Sequence, residues 1–458
     1  LVTKGNDFLW SFLLLVLLCG TGLYYTIRLR FIQVRKFGEG VRQVFGHFSM
    51  NGEKHEKGEM TPFQSIATAI AAQVGTGNLA GAATALIGGG PGAIFWMWIS
   101  AFLGMATIYG EAVLAQTYKT EVNGEVTGGP VYYIKAAFKG TFGKALSTLF
   151  AVFIILALGF MGNMVQSNSI GSTFQTAFGV PSWIVGVVLV IICGFIFVGG
   201  VQRLAAVTEK IVPIMAAIFL LGALAVLVIR IQYIPATFAM IFQYAFEPQA
   251  IIGGGFGYAL KEAISQGAKR GLFSNEAGMG STPHAHAQAN VKDPHDQGVV
   301  AMVSVFIDTF IVLTLNALVV ISTLYTPGGI LAQGYTEEVS QVINKTNLAQ
   351  TAFGTVFGTQ AGAMFVAVCL FFFAFSTVLS WNMFGKINII YLFGKKAAPV
   401  YSVIALVFIF LGTLMSNDLV WELTDMFNNL MVIPNAIALF ALSGVVVKIC
   451  HMGKNAAK

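Results

Sequence analysis

Eleven times along this chain an apolar run reaches the length that a helix needs to cross a hydrocarbon layer, and most of the charge is confined to the gaps between those runs. A layer ~30 Å thick takes about 20 residues of helix. The runs cover residues 8–27, 61–88, 92–118, 145–172, 182–200, 205–229, 254–288, 298–324, 361–385, 397–416 and 419–447. The expectation is an all-α polytopic membrane protein with eleven transmembrane helices. Only 10% of residues are charged and 56% are hydrophobic, against about 25% charged in a soluble domain. Such a chain cannot cover a water-facing surface, but it can cover a lipid-facing one. The net charge of +6 lies in short gaps rather than on one basic face, which excludes a nucleic-acid partner. Phe8 to Tyr25 reads as a retained first span, since only Lys4 precedes it and no small-residue cleavage site follows. The chain starts at Leu1, so a few residues are expected before it. Cys19, Cys193, Cys369 and Cys450 have neither metal-ligand nor disulfide spacing and are expected as free thiols.

The placement of lysine and arginine gives the orientation. Of 26 such residues, Lys210, Lys261, Lys269 and Arg270 fall within runs, Lys4, Arg230 and Lys345 lie on one side, and the remaining nineteen lie on the other. Cytoplasmic loops carry the excess. The expected topology is therefore a multi-pass plasma-membrane protein, N-terminus outside and C-terminus cytoplasmic. The stretch 231–252 is expected along the surface, and 326–360 is expected to hold a short helix over the outer face. No linker divides the chain, so one domain is expected. It comprises an extra helix and basic loop (8–60), two five-helix halves (61–229 and 254–447) and a tail (448–458).

Two runs are interrupted at mid-depth. Run 2 contains Val74-Gly75-Thr76-Gly77-Asn78, and run 7 contains Ser274-Asn275-Glu276-Ala277-Gly278-Met279-Gly280. Each glycine costs a helix interior about 1 kcal/mol relative to alanine. In lipid, freed backbone groups are tolerated only where protein, water or a ligand satisfies them. Close helix packing is the plainer explanation for one such segment, but the breaks are five runs apart, so their helices cross in opposite directions. Runs 2–6 and 7–11 then form two halves of inverted topology preceded by one extra helix, and paired breaks point to a transporter binding site. Glu111, Glu276 and Asp308 also fall inside runs, where carboxylates usually mark function. Glu276 is expected to accept local backbone N–H groups, Asp308 to pair with Arg270 or a cation, and Glu111 to tie run 3 to the cytoplasmic side. Lys261 and Lys269 are expected to face water or to snorkel.

The segment from Gly89 to Gly104, with Pro91 and Trp96-Met97-Trp98, resembles the signature of the alanine or glycine:cation symporter family. Val74 to Asn78, Gly271 to Gly280 and Val305-Phe306-Ile307-Asp308-Thr309 are similar to it too. The resemblance runs from about residue 60 to 385. It implies a LeuT-type five-plus-five inverted repeat and sodium-coupled uptake of alanine or glycine. It also implies that the N–H groups of Thr76 and Gly77 receive the substrate carboxylate at a positive helix end, and that carbonyls of the run 7 break, Asn275 and the Gln166 amide face the ammonium. Phe273 and Trp381 complete the substrate contacts. Sodium is implied at the carbonyls of Ala71, Val74 and Phe373 and the hydroxyls of Ser376 and Thr377, although adjacent hydroxyls also bond back to their own helix. Gly75, Asn78, Glu276, Gly278 and Asp308 are shaping or gating positions, with Asn78 either capping the resumed half-helix or joining a cation site.

Two segments depart from the family pattern. Ser380-Trp381-Asn382-Met383 alters the bulk beside the tryptophan, and His284 and His286 stand where small neutral residues are usual. The histidines, at i and i+2, point to different faces and make a poor metal pair; solvated positions near the surface are expected. The favoured function is a symporter working by alternating access, with sodium as co-transported ion, no organic cofactor and a monomer as the working unit. The alternative is a proton-coupled carrier of the same fold. A channel lacks its filter signature, and an enzyme lacks its motifs.

Overall fold

The structure, a computed structural model, describes residues 3, 5–6, 14–46, 60–122, 124–247 and 256–452. The start of the first expected span (8–13), much of the basic loop (47–59), the stretch 248–255 and the end of the tail (453–458) lie outside the described residues.

Helix α1 (Leu14–Arg28) is followed by the short α2 (Phe37–Gly46). Next come α3 (Pro62–Gln73) and α4 (Ala82–Gly89), joined through a π-helical turn at Gly77–Gly81 and bent by 42°. A capping box starts α3: Gln64 N–H donates to Thr61 Oγ1 at 2.7 Å, and Thr61 N–H donates back to Gln64 Oε1 at 3.2 Å. The chain continues through α5 (Gly92–Thr117), α6 (Gly140–Phe178), α7 (Ser182–Val198), α8 (Gly200–Ile229), α9 (Ile234–Phe246) and α10 (Phe256–Asn275). A short α11 (Pro283–Ala287) precedes α12 (Pro294–Tyr325), α13 (Leu348–Phe357), α14 (Thr359–Phe393), α15 (Lys395–Gly412) and α16 (Asn417–Met452).

Among the described residues, seven helices are long and apolar enough to cross a membrane, or eight if the bent pair α3–α4 counts as one; α7 is apolar but shorter. Length and composition alone therefore stop short of eleven. The described part of α1 is 15 residues long, and α10 carries Lys261, Glu262, Lys269 and Arg270 along its length. Exposed Ile191, Phe195 and Val198 of α7, Leu221 and Val228 of α8, and Val400, Val403 and Val407 of α15 form an apolar exterior suited to lipid.

A small hairpin and three π-helical segments depart from a bundle of plain α-helices. Residues Thr120–Val122 and Glu125–Thr127 pair as a small antiparallel hairpin. Within α6 the segment Ile155–Gly162 is π-helical, as are Phe306–Leu313 and Ile321–Tyr325 of α12. Such turns widen the hydrogen-bond ring and occur mostly at functional sites.

The described part of the stretch after α8 forms α9, which packs against α5. Phe238, Phe242 and Phe246, spaced at i, i+4 and i+8, meet Phe95, Trp96 and Trp98 of α5 at ring separations of 5.2 to 6.4 Å. The Trp96 indole donates to the Ala245 carbonyl at 3.0 Å and that of Trp98 to Thr314 Oγ1 at 2.8 Å. The Trp-Met-Trp segment thus fastens α5 to α9 on one side and to α12 on the other. The stretch 326–360 holds two short helices, Glu337–Ser340 and α13.

Candidate functional site

α3 ends where Val74 turns extended (φ −80°, ψ 90°). Asn78 stitches the gap from within: its Oδ1 accepts from Gly75 N–H at 2.9 Å, and its Nδ2 donates to Asp308 Oδ1 at 2.7 Å. Gln166 of α6 closes the other side, its Oε1 accepting from Thr76 N–H at 3.1 Å and Thr76 Oγ1 at 2.8 Å. Because an N–H can only donate, the Gln166 oxygen faces the break and its free end is the NH2 group, which has no partner. Gln166 therefore offers a donor, suited to a carboxylate rather than to the ammonium expected from the sequence. Thr76 N–H is spent on Gln166 in this conformation. A side chain at position 75 would run into Thr377 Oγ1 and Gln166 Oε1, so only glycine fits there.

α10 stops at Asn275. Glu276 then takes a left-handed φ of 58°, rare outside glycine, and Gly278 follows at 86°. The acid that holds this loop is Glu111, not Glu276. Its Oε2 and Oε1 accept from Gly278 N–H and Gly280 N–H, each at 2.9 Å. Asn435 of α16 donates to Glu111 Oε1 at 2.7 Å and to the Gly278 carbonyl at 2.9 Å. Glu276 instead accepts from side chains, Ser281 Oγ at 2.6 Å and the Trp381 indole N–H. The role expected of Glu276, accepting backbone N–H groups of the break, thus falls to Glu111, which reaches the loop from α5 and ties that helix to the break and to α16 rather than to the cytoplasmic side.

The two breaks face each other. Gln73, the last residue of α3, donates from Nε2 to the Asn275 carbonyl at 2.9 Å, leaving Oε1 buried and without a partner. A Cβ on Gly77 would sit 3.0 Å from Ser274 Cα. Asp308 bridges both segments, accepting from Asn78, from Ser274 Oγ at 2.9 Å and from Thr309 Oγ1 at 2.8 Å. It does not pair with Arg270, which binds Asp425 instead. The Asn275 side chain stands apart from Thr76 and Gln166: its Oδ1 accepts from Ala277 N–H and its Nδ2 reaches Thr309 Oγ1 at 3.3 Å, beside a hollow of about 20 Å³ next to α1 and α5. Phe273 packs edge-on against Trp381 at 6.0 Å and against Trp421 at 4.8 Å, and Trp381 also covers Gly162, one turn before Gln166. Thr76, Gly77, Phe273, Trp381 and Gln166 thereby close a ring around the breaks.

The expected cation ligands also converge. Thr377 Oγ1 lies 2.8 Å from the Ala71 carbonyl, 2.9 Å from that of Phe373 and 3.4 Å from that of Val74, with Ser376 Oγ 2.9 Å from the Phe373 carbonyl. The four neutral oxygens of Ala71, Val74, Phe373 and Thr377 suit a hard monovalent cation, since a divalent ion favours carboxylates, whereas Ser376 Oγ also turns to Met215 Sδ of α8 at 3.5 Å.

At one end of the molecule a cleft of about 1130 Å³ reaches in beside α14, with Met60, Gln64, Gln288 and Met383 among its lining residues. A thin layer separates it from Thr377: Ser380 Oγ donates to the Thr68 carbonyl at 3.0 Å, and the Gln288 amide touches Met383 Sδ at 3.9 Å. On the other side of the second break, charges are paired in a buried position. Arg270 grips Asp425 with two bonds of 3.0 and 3.1 Å while its guanidinium lies 4.8 Å over the Trp421 ring, and Lys269 adds a contact of 2.7 Å. Lys269 thus neither faces water nor snorkels. Lys261 is exposed, as expected.

His284 and His286 are fully buried, against the expectation of solvated positions. His284 Nδ1–H donates to the Ser281 carbonyl at 2.7 Å, its Nε2 accepts from Asn388 at 2.8 Å, and its ring lies between Phe150 and Phe384. His286 Nδ1 meets the Gln297 amide at 2.7 Å. Both help to seat α11 against its neighbours. Sequence reasoning missed Gln73, Ser274, Asn435, Asp425 and Trp421; a polar residue in an otherwise apolar helix face was the available signal for Gln73, Asn435 and Asp425.

Residues 1–457 match the family model described as the sodium:alanine symporter family. The sodium/alanine symporter AgcS of Methanococcus maripaludis is 41% identical over 450 residues, 98% of this chain and 95% of that one. The probable sodium/glutamine symporter GlnT of Bacillus subtilis is 39% identical over 450 residues, 97% of this chain and 88% of that one. Among solved structures, MhsT in complex with L-phenylalanine superposes with a TM-score of 0.56 over 87% of this chain and 99% of that one, at 12% identity. At that identity the likeness is one of fold alone, and the fold is of the LeuT type.

Proposed function

Because the chain belongs to the sodium:alanine symporter family, we propose that it couples inward sodium movement to uptake of a small neutral amino acid, alanine or glycine, by alternating access. The observation that carries this reading is the meeting of two broken helices, α3–α4 and α10–α11, with the unspent Gln166 Nε2 donor and Gln73 Oε1 acceptor beside them. A zwitterion needs both kinds of partner. Phe273 and Trp381 wall the side chain, which favours a small occupant. The four oxygens gathered at Thr377 include no titratable group, which supports sodium over a proton at that position.

In this reading the chain makes eleven crossings: α1; α3–α4; α5; α6; α7; α8; α10–α11; α12; α14; α15; α16. Those from α3 to α8 and from α10 to α16 are the two inverted halves, and the whole forms one domain. The N-terminus lies outside, so the large cleft is cytoplasmic, and the Arg270–Asp425 pair with Trp421 closes the outer path. One charge falling through ~100 mV supplies about 2.3 kcal/mol and a tenfold sodium gradient about 1.4 kcal/mol. Together these support accumulation of about 500-fold for one sodium per zwitterion.

Purified protein in proteoliposomes is expected to accumulate labelled alanine or glycine only under an inward sodium gradient at fixed pH. Undiminished uptake in sodium-free buffer would sink the sodium reading and leave the proton-coupled carrier.

A further inference from the structure

α14 passes the first break at Thr377. Beyond that point its Met383 lines the cleft, whereas Val366 and Leu370 before it line a second hollow on the other side of the breaks. This hollow of about 10 Å³ has room for a single water. Leu79 and Ala80, just past Asn78, bound it from below, Ser169 and Thr173 of α6 from the side, and Lys345, ahead of α13, at its mouth. Gln166, Ser169 and Thr173 follow one another at spacings of three and four residues, which keeps them within roughly 60° of one another around the helix. Ser169 is fully buried, and among the described residues its hydroxyl has no partner. A buried hydroxyl left unbonded costs the fold stability, so folding gives no reason for it. The Thr173 hydroxyl is spent on the Ser169 carbonyl at 2.9 Å. One turn deeper, the Gln166 NH2 is unspent as well. At the mouth, the half-buried Lys345 ammonium meets the exposed Asp418 carboxylate at 2.6 Å. An ammonium and an amide NH2 can only donate, and a serine hydroxyl can donate too. From mouth to break, α6 and Lys345 thus present donors, which suit a carboxylate and not an ammonium.

We propose that Ser169 is an entry subsite, whose hydroxyl takes the carboxylate of the incoming amino acid between Lys345 at the mouth and Gln166 at the break. The proposal rests on the symport reading above and extends it from the closed site to the approach. In this conformation the hollow is too small for an amino acid, so the subsite fills when Lys345 and α13 draw back from α6. Ser169 then acts through its hydroxyl, and its effect follows that group rather than the volume of the side chain.

The test uses proteoliposomes of the full chain under a fixed inward sodium gradient, with initial uptake read against external alanine. Ser169→Ala and Ser169→Val are expected to raise the half-saturating alanine about three- to tenfold, the worth of one hydrogen bond, and to act on it more than on the maximal rate. Neither is expected to lower the melting temperature. Ser169→Thr, which has the shape of valine and keeps the hydroxyl, is expected to stay near wild type. Equal losses in the threonine and valine variants would make the effect one of packing and overturn the proposal. Lys345→Glu is expected to raise the half-saturating alanine as well; an unchanged or lowered value overturns the assignment to the carboxylate. Unchanged half-saturation in Ser169→Ala, with wild-type uptake still driven by sodium, overturns the subsite and leaves the symport reading intact. Wild-type protein that takes up neither alanine nor glycine under the gradient overturns both.

Discussion

Trp381 donates its indole N–H to the carboxylate of Glu276, a residue held in the left-handed region at φ 58°. The bond joins α14, which carries the proposed cation hydroxyls, to the strained corner of the second break. Removing the donor while keeping a ring isolates it. Trp381→Phe is expected to destabilise the protein by about 1–3 kcal/mol, because a buried carboxylate oxygen loses its partner. Thermal unfolding in detergent reads this; an unshifted transition would mean that the bond carries no net stability.

Thr377 Oγ1 stands among three carbonyls, those of Ala71 in α3, Val74 just beyond it and Phe373 of its own helix. Thr377→Ala is expected to raise the external sodium for half-maximal uptake about tenfold or more, roughly 1.4 kcal/mol, while Thr377→Ser, which keeps the oxygen, stays near wild type. Sodium titration of initial uptake rates decides. An unaltered sodium dependence in the alanine variant would remove Thr377 from the cation site.

Glu111 satisfies two backbone N–H groups of the α10 break at once. Glu111→Ala strands both in a dry interior, at about 1–3 kcal/mol each. Gly278→Ala forces a Cβ onto a φ of 86° at about 1–2 kcal/mol. Both variants are expected to melt earlier than wild type and to lose uptake, with the Glu111 variant the worse. The reverse order would argue that backbone strain matters more than loop anchoring.

Asp425 answers Arg270 and Lys269 in a buried position. Asp425→Asn leaves that positive charge without its counter-charge, which typically costs about 3–5 kcal/mol. A reduced yield of folded protein and a lower melting temperature are expected. Retention of full stability would show that water reaches the pair.

Glu39 of α2 sits between Lys36 and His295, the latter at 3.3 Å, while Tyr109 holds the far side of the imidazole at 2.6 Å. Partial burial pushes the Glu39 carboxyl up, but Lys36 and His295 outweigh it and hold it below the usual carboxylate range. A depressed value in the folded state stabilises above the unfolded value near ~4.3 and is lost as pH falls through the folded one. The melting difference between wild type and Glu39→Gln should therefore be full at neutral pH and shrink below about pH 4.3. A difference independent of pH would make the contact one of packing.

The parts of this molecule that are legible in its sequence are those where one residue type has few uses. Gly75 and Gly278 in apolar runs announce broken helices, because lipid leaves unpaired backbone nowhere to go. The clustering of Thr76, Gln166, Phe273 and Trp381, and of Thr377 with Ala71 and Val74, also follows the expected pattern. What escaped were long-range choices of partner. Arg270 had carboxylates in several runs to choose from, and only packing selects Asp425 over Asp308. The histidines of α11 were expected in water because they lie near the end of a run. Yet Phe150, Phe384 and Asn388 come from remote segments to enclose His284. The π-helical stretches leave no mark in composition either, since their residues are those of any apolar helix.

The two ends of the central site are closed by different kinds of matter. One carries a charged clasp braced on an indole, and the other is held by neutral hydrogen bonds, from Ser380 to the Thr68 carbonyl, from Gln288 to Met383 Sδ and from the Met60 backbone to that of Gln288. Parting the second layer breaks neutral hydrogen bonds that water can replace, whereas parting the first exposes bare ions. The layer toward the cleft is thus the less costly of the two to part.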